Sequence, residues 1–170
     1  MILSPRWFSS VGTPLAAADI TEISAMIAEL TGATRAAIGG LAQWHEVGEI
    51  IRAPDWDIST WDEEEDERTR LWHRAGEHHD EQTLLLRLTS ITDSLAGEIG
   101  GAANLAAAMG GISDAGLVKA ASSAALMAAH QNALANLAGE GARHFFVRKY
   151  ALFERGRWPL GMYRGQYYVF

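Results

Sequence analysis

Six histidines and twenty-one carboxylates, with no cysteine, define the chemistry open to this chain of 170 residues. Two stretches place these groups at helical spacing. His45-Glu46-Val47-Gly48-Glu49 sets a histidine and a carboxylate four residues apart, where they share a helix face and could hold one cation. Zinc proteases need a second histidine at the fifth position of that pattern, and here the residue is Glu49. His73 and Glu77 repeat the interval, with Asp62 and Asp66 on the same face. His45, Asp62, His73 and Glu77 thus form a candidate His/acid cluster. The Glu-x-x-His motif of di-iron bundles is absent, because Ala42, Arg70, Ala75, Gly76, Met127 and Gly141 stand three residues before the histidines. Lack of cysteine excludes disulfides, thiolate zinc sites, iron–sulfur clusters and a thiol nucleophile. Neither G-x-x-x-x-G-K-[ST] nor G-x-S-x-G occurs.

A second pattern uses carboxylates alone. Glu46-x-x-Glu49 followed by Glu63-x-x-Asp66, or by Glu77-x-x-Asp80, resembles the E-x-x-E … E-x-x-D arrangement of MazG-type all-α nucleoside triphosphate pyrophosphohydrolases. The resemblance spans residues 40–95 and leaves out the C-terminal segment. It implies Mg²⁺ as cofactor, held by Glu46, Glu49, Glu63 and Asp66, with a bound triphosphate attacked by water. Hard oxygen ligands suit that ion, and the ion screens phosphate charge. The residues themselves also fit a solvated acidic helix face. There, Glu64–Arg68 and Asp66–Arg70 would pair across one turn, each contributing about 0.3–0.5 kcal/mol.

The net charge of −7 conceals a split. Residues 143–170 carry six cations against Glu154 alone, net +5, while residues 1–142 carry eight cations against twenty acids, net −12. Most of the deficit lies in residues 55–81, where eleven acids face three arginines. Nine of the fifteen aromatic residues, including all four tyrosines, fall in the last 28 residues. Such opposition of sign implies either an internal electrostatic dock or a tail for an anionic partner. Interleaved arginine and aromatic side chains suit a core, a protein interface or stacked bases. The acidic body disfavours a long polyanion, so a nucleic-acid partner is not expected. Arg157, Trp158, Tyr163 and Arg164 are the candidate interface residues of this segment.

The elements that must position these groups read as helices. Ile20, Ile23, Ile27 and Leu30 mark a first helix opening at Thr13-Pro14 or Asp19 and stopped by Gly32. A second is expected from about Thr34 to Arg52, with His45 inside its apolar arc. A third opens at Ser59 or Thr60, where Ser59–Asp62 and Thr60–Glu63 match a capping pattern, and would bury Trp61, Arg68, Leu71, Trp72 and Ala75. The fourth starts near Asp80 and carries Leu84, Leu88, Ile91, Leu95 and Ile99 inward, before Gly100, Gly101, Gly110 and Gly111 punctuate the chain. Asp114 caps a fifth through Ala138, with Leu117, Met127, Leu134 and Leu137 inward and His130 beside them. Arg143–Arg155 forms a short sixth helix, and the end folds as a small hairpin around Gly165.

The expectation is one all-α domain over residues 1–170, a bundle of five to six helices with a short irregular or β-hairpin finish. Residues 1–14 form an irregular arm, and residues 143–170 pack on the bundle. No stretch reads as a targeting signal or a membrane span, so a soluble, cytoplasmic chain is expected. The preferred function is protein–protein contact through the acidic face of the third helix, centred on Asp62, Glu63, Asp66 and Glu77. That makes the chain an inhibitor or antitoxin-like module, or a homodimer, without a cofactor. The Mg²⁺-dependent hydrolase is the alternative.

Overall fold

A computed structural model describes residues 5–32 and 36–170. Among them the chain forms six helices and a three-stranded sheet, an all-α bundle with a short β finish. Helix α1 (Ala17–Thr31) buries Ile23, Met26 and Ile27, at the spacing that the isoleucines announce. Helix α4 (Glu81–Met109) starts where Asp80 accepts the Thr83 N–H, and α5 (Ala115–Leu137) where Asp114 accepts the Leu117 N–H. Each carboxylate satisfies a helix-end donor that the backbone leaves unpaired. Helix α5 is the centre of the bundle and packs against α3 (Ser59–Gly76), α4 and α6 (Phe145–Glu154).

The α4–α5 contact runs through small side chains. Ile99, Ala103 and Ala107 of α4 share a core with Leu117, Ala121, Ala125 and Ala128 of α5. Alanine lets the two backbones approach closely, and this reverses two expectations. Helix α4 continues through Gly100 and Gly101 to Met109. Met127, expected inside, is 49% exposed because the alanines hold the buried side of α5.

The expected helix over Thr34–Arg52 is two elements. Its start lies outside the described residues, residues 37–40 form strand β1 (Ala37–Gly40), and only α2 (Trp44–Ile51) is helical. Strand β1 pairs in parallel with β3 (Gln166–Val169), which pairs antiparallel with β2 (Pro159–Tyr163), giving the order β1-β3-β2. The hydrogen bonds that hold residues 37–40 extended therefore come from the far end of the chain. Gly39 permits the approach, since a Cβ there would sit 2.6 Å from the Tyr168 ring. The hairpin expected around Gly165 is present, with Arg164 and Gly165 at φ +47° and +78°. Two successive left-handed residues match the right-handed twist of the flanking strands.

Residues 5–16 contain no helix or strand, yet Trp7 and Phe8 are buried. Phe8 packs edge-on against Phe153 and Trp158, and Arg6 donates its N–H to the Glu154 carbonyl. Trp7 and Phe8 thus enter the same core as Trp158 and Phe170, beside Trp44. A second core joins α1, α3, α5, α6 and the sheet through Ile23, Leu71, Leu134, Phe146 and Tyr167. No helix among the described residues is long and apolar enough to cross a membrane.

Candidate functional site

Helix α3 begins one residue earlier than its serine and threonine suggest. Ile58 is the N-cap and offers no side-chain acceptor, while the Asp57 carboxylate accepts the Ser59 N–H at 2.9 Å. That bond holds Asp57 below the ordinary carboxylate range. Thr60 then lies inside, 1% exposed, and its hydroxyl has no partner among the described residues. One turn on, Glu64 is also buried, although it lies within six consecutive acids. Thr60, Glu64, Leu71 and Ala75 make up the buried stripe. Trp61, expected inside, is 48% exposed.

Glu64 Oε2 accepts from Lys149 Nζ of α6 at 2.6 Å and from Gln131 Nε2 of α5 at 3.1 Å. Three helices thus meet at one carboxylate oxygen. Gln131 Oε1 is buried without a partner among the described residues. The phenol of Tyr167, fully buried and near the Glu64 charge, is pushed well above its ordinary range, first by burial and then by that charge. Beside Glu64 and Lys149 opens a cleft of about 440 Å³. Its walls are Ile51, Trp61, Met127, Trp158, Pro159 and Leu160, with Ala120 and Ala124 leaving the space.

The outer side of α3 differs. Asp62, Glu63 and Asp66 are exposed and have no ion-pair partner among the described residues. The expected pairs Glu64–Arg68 and Asp66–Arg70 do not form, because Glu64 turns inward to Lys149 and Arg70 pairs with Glu67 and Glu140. Arg68 instead meets Glu65, and Arg70 meets Glu67, each across three residues. Glu67 also bonds His144 Nε2 at 2.6 Å, while Glu140 accepts from Arg70 and Arg74. The Arg70 guanidinium, and then His144, hold the Glu67 carboxyl below its ordinary value against the effect of burial.

The other expected site residues are dispersed. His45 is exposed, since α2 starts at Trp44 and turns Trp44, Val47, Gly48 and Ile50 inward. Glu46 closes that helix end, accepting the N–H groups of Ala42 and Gln43 at 2.9 and 2.7 Å. Glu49, His73 and Glu77 are exposed. Among the described residues no three of histidine, aspartate and glutamate come together as a cation site. Neither the carboxylate set Glu46, Glu49, Glu63 and Asp66 nor the cluster His45, Asp62, His73 and Glu77 is assembled.

In the C-terminal segment, Trp158 is 3% exposed and packs with Phe8 and Trp44, which removes it from the surface. Arg157 donates to the Ser10, Thr13 and Pro14 carbonyls. Tyr163 is half-buried and stacks on Trp56, and Arg164 lies over the Tyr163 ring while bonding Asp55. Of the four expected interface residues only Arg164 is exposed.

Glu64, Gln131 and Lys149 were hidden to sequence reasoning by their settings: an acid run, an alanine-rich helix and a basic tail. The available signal was the interval from Glu64 to Leu71 and Ala75, which puts a carboxylate on an apolar stripe. Compared with protein-family models, curated proteins and solved structures, the chain matches none, so the site stands on its own geometry.

Proposed function

We propose that this chain is a binding module that docks a basic segment of a protein partner on the exposed side of α3. The observation that carries this reading is the charge left over at the surface. Asp62, Glu63 and Asp66 stand exposed without an ion-pair partner among the described residues. Most cations of the C-terminal segment are meanwhile engaged inside the molecule. Ile58 and Trp61, 54% and 48% exposed on the first turn, add apolar area beside the acids. An apolar centre with a charged border is how protein interfaces combine affinity with steering.

The test is affinity capture from cells with the wild-type chain and with Asp62→Asn/Glu63→Gln/Asp66→Asn. The expected outcome is a basic protein retained by the wild type and lost by the triple variant. Retention of the same proteins by both, or of acidic proteins only, overturns the reading. Self-association is a separate outcome: a dimer in light scattering that persists in the triple variant would place the contact elsewhere.

A further inference from the structure

The floor of the cleft beside α3 is only half satisfied by its own side chains. Glu64 uses Oε2 for both of its hydrogen bonds, and Oε1 takes none among the described residues. The Lys149 ammonium has three N–H donors and spends one on Glu64. Both side chains line the cleft while staying about nine-tenths buried, at 9% exposure for Glu64 and 11% for Lys149. A carboxylate oxygen that no described residue bonds therefore belongs to the same pair as an ammonium with N–H groups to spare. Those needs match the two ends of an amide, whose N–H would donate to Glu64 and whose C=O would accept from Lys149.

The floor carries no net charge, because its cation and anion already neutralise each other. A ligand carboxylate or ammonium would bring an uncompensated charge between Trp158, Leu160 and Met127, where desolvation is costly. A neutral group brings none. Trp61, 48% exposed, is among the walls, and an accessible indole favours flat rings. A volume of about 440 Å³ lies in the range of small-molecule sites, which combine apolar walls with a few polar groups. The geometry points to this cleft as a binding site for a neutral, flat-ringed small molecule whose edge sets an N–H donor beside a C=O acceptor. Aromatic amides, lactams and the imide edge of a nucleobase share that chemistry. The cleft shares Trp61 with the docking surface but uses none of the exposed acids of α3, so probe binding and the loss of partner capture in the acid variant are read separately.

Three probes with one ring and different head groups test it: benzamide, benzoate and benzylammonium, titrated against the full chain while the tryptophan indole N–H resonances are followed by NMR. Benzamide is expected to shift two of these resonances, those of Trp61 and Trp158, saturably, with the charged probes at least about tenfold weaker. Ala124→Phe, which fills the cleft from the α5 wall without touching the ion pair, is expected to abolish the shift. If that variant is unstable, Glu64→Leu/Lys149→Met gives the same information by removing the amide's partners at similar volume, and should erase the preference for benzamide. The assignment is overturned by no saturable shift up to about 20 mM, beyond the dissociation constant expected of so small a ligand. It is equally overturned by charged probes binding as tightly as benzamide, by a shift that survives Ala124→Phe, or by a preference that survives the double variant.

Discussion

Lys149 shows how much a single side chain can hold in place. Among the described residues its ammonium is the only cation bonded to the buried Glu64 carboxylate, whose other partner is the neutral Gln131 amide. Lys149→Met leaves that charge buried and unpaired, with an expected loss of about 3–5 kcal/mol in urea unfolding. Adding Glu64→Leu removes the stranded charge as well. The double variant should recover most of the loss, because a buried ion pair and an apolar pair of similar volume are often close in stability. A double variant as unstable as the single one would mean that the pair contributes packing and not charge compensation. His130 makes the pH-dependent counterpart. Its Nδ1 is buried without a partner among the described residues, and burial followed by the nearby Arg68 charge lowers its pKa from the ordinary 6.5. Below pH 6.5 the unfolded chain therefore takes up a proton that the folded chain resists, and stability falls until the folded value is passed. His130→Gln should flatten that part of the stability–pH curve, measured as urea midpoints between about pH 7 and pH 5.

Among the elements, α4 carries an avoidable cost. Gly97 and Gly101 are exposed within it, and a Cβ at either would meet nothing within 4 Å. Each glycine forgoes about 0.5–1 kcal/mol relative to alanine in a helix interior. Gly97→Ala/Gly101→Ala is expected to raise the melting temperature by about 2–6 °C. No change would mean that the α4 face is covered by something that needs those glycines. The same helix shows what was legible in the chain. Where a capping carboxylate precedes a spaced aliphatic stripe, as at Asp80 and Asp114, the helix start follows directly, because the cap and the stripe are both local. Strand β1 was not legible, since its hydrogen bonds come from residues 166–169 and its own sequence, Ala-Ile-Gly-Gly, has little strand preference. The inward side of α5 was misread for a related reason. Leucine and methionine spacing points to Met127, whereas close approach of α4 selects the alanines. The acidic side of α3 was readable as charge, but which single acid turns inward depends on where Lys149 arrives from α6.

For the whole molecule, the separation of a −12 body from a +5 tail finds its counterpart in contacts between the two. Arg148 reaches Glu29, Arg155 reaches Glu22, Arg164 reaches Asp55 and Lys149 reaches Glu64. Three of these four pairs have exposed partners, and exposed pairs contribute about 0–1 kcal/mol each and are screened by salt. Charge thus accounts for the register of the tail on the body more than for its attachment. Attachment rests on apolar burial. Phe170, 1% exposed, packs its ring edge-on to Trp44, and its backbone exchanges both hydrogen bonds with Trp158. Trp158 in turn meets Phe8 from the N-terminal arm. Removing the Phe170 ring therefore loosens the C-terminal segment and the Trp7–Phe8 contact together, and Phe170→Ala should cost about 3–5 kcal/mol, as a large-to-small change in a core does. Raising salt from about 0.1 to 1 M shortens the screening length from about 10 to 3 Å and should shift the wild-type midpoint only slightly. The two measurements oppose each other. A tail held by its charges would tolerate Phe170→Ala and come away in salt, whereas a tail held by its rings does the reverse, and the placement of Phe8, Trp44, Trp158 and Phe170 in one core requires the second outcome.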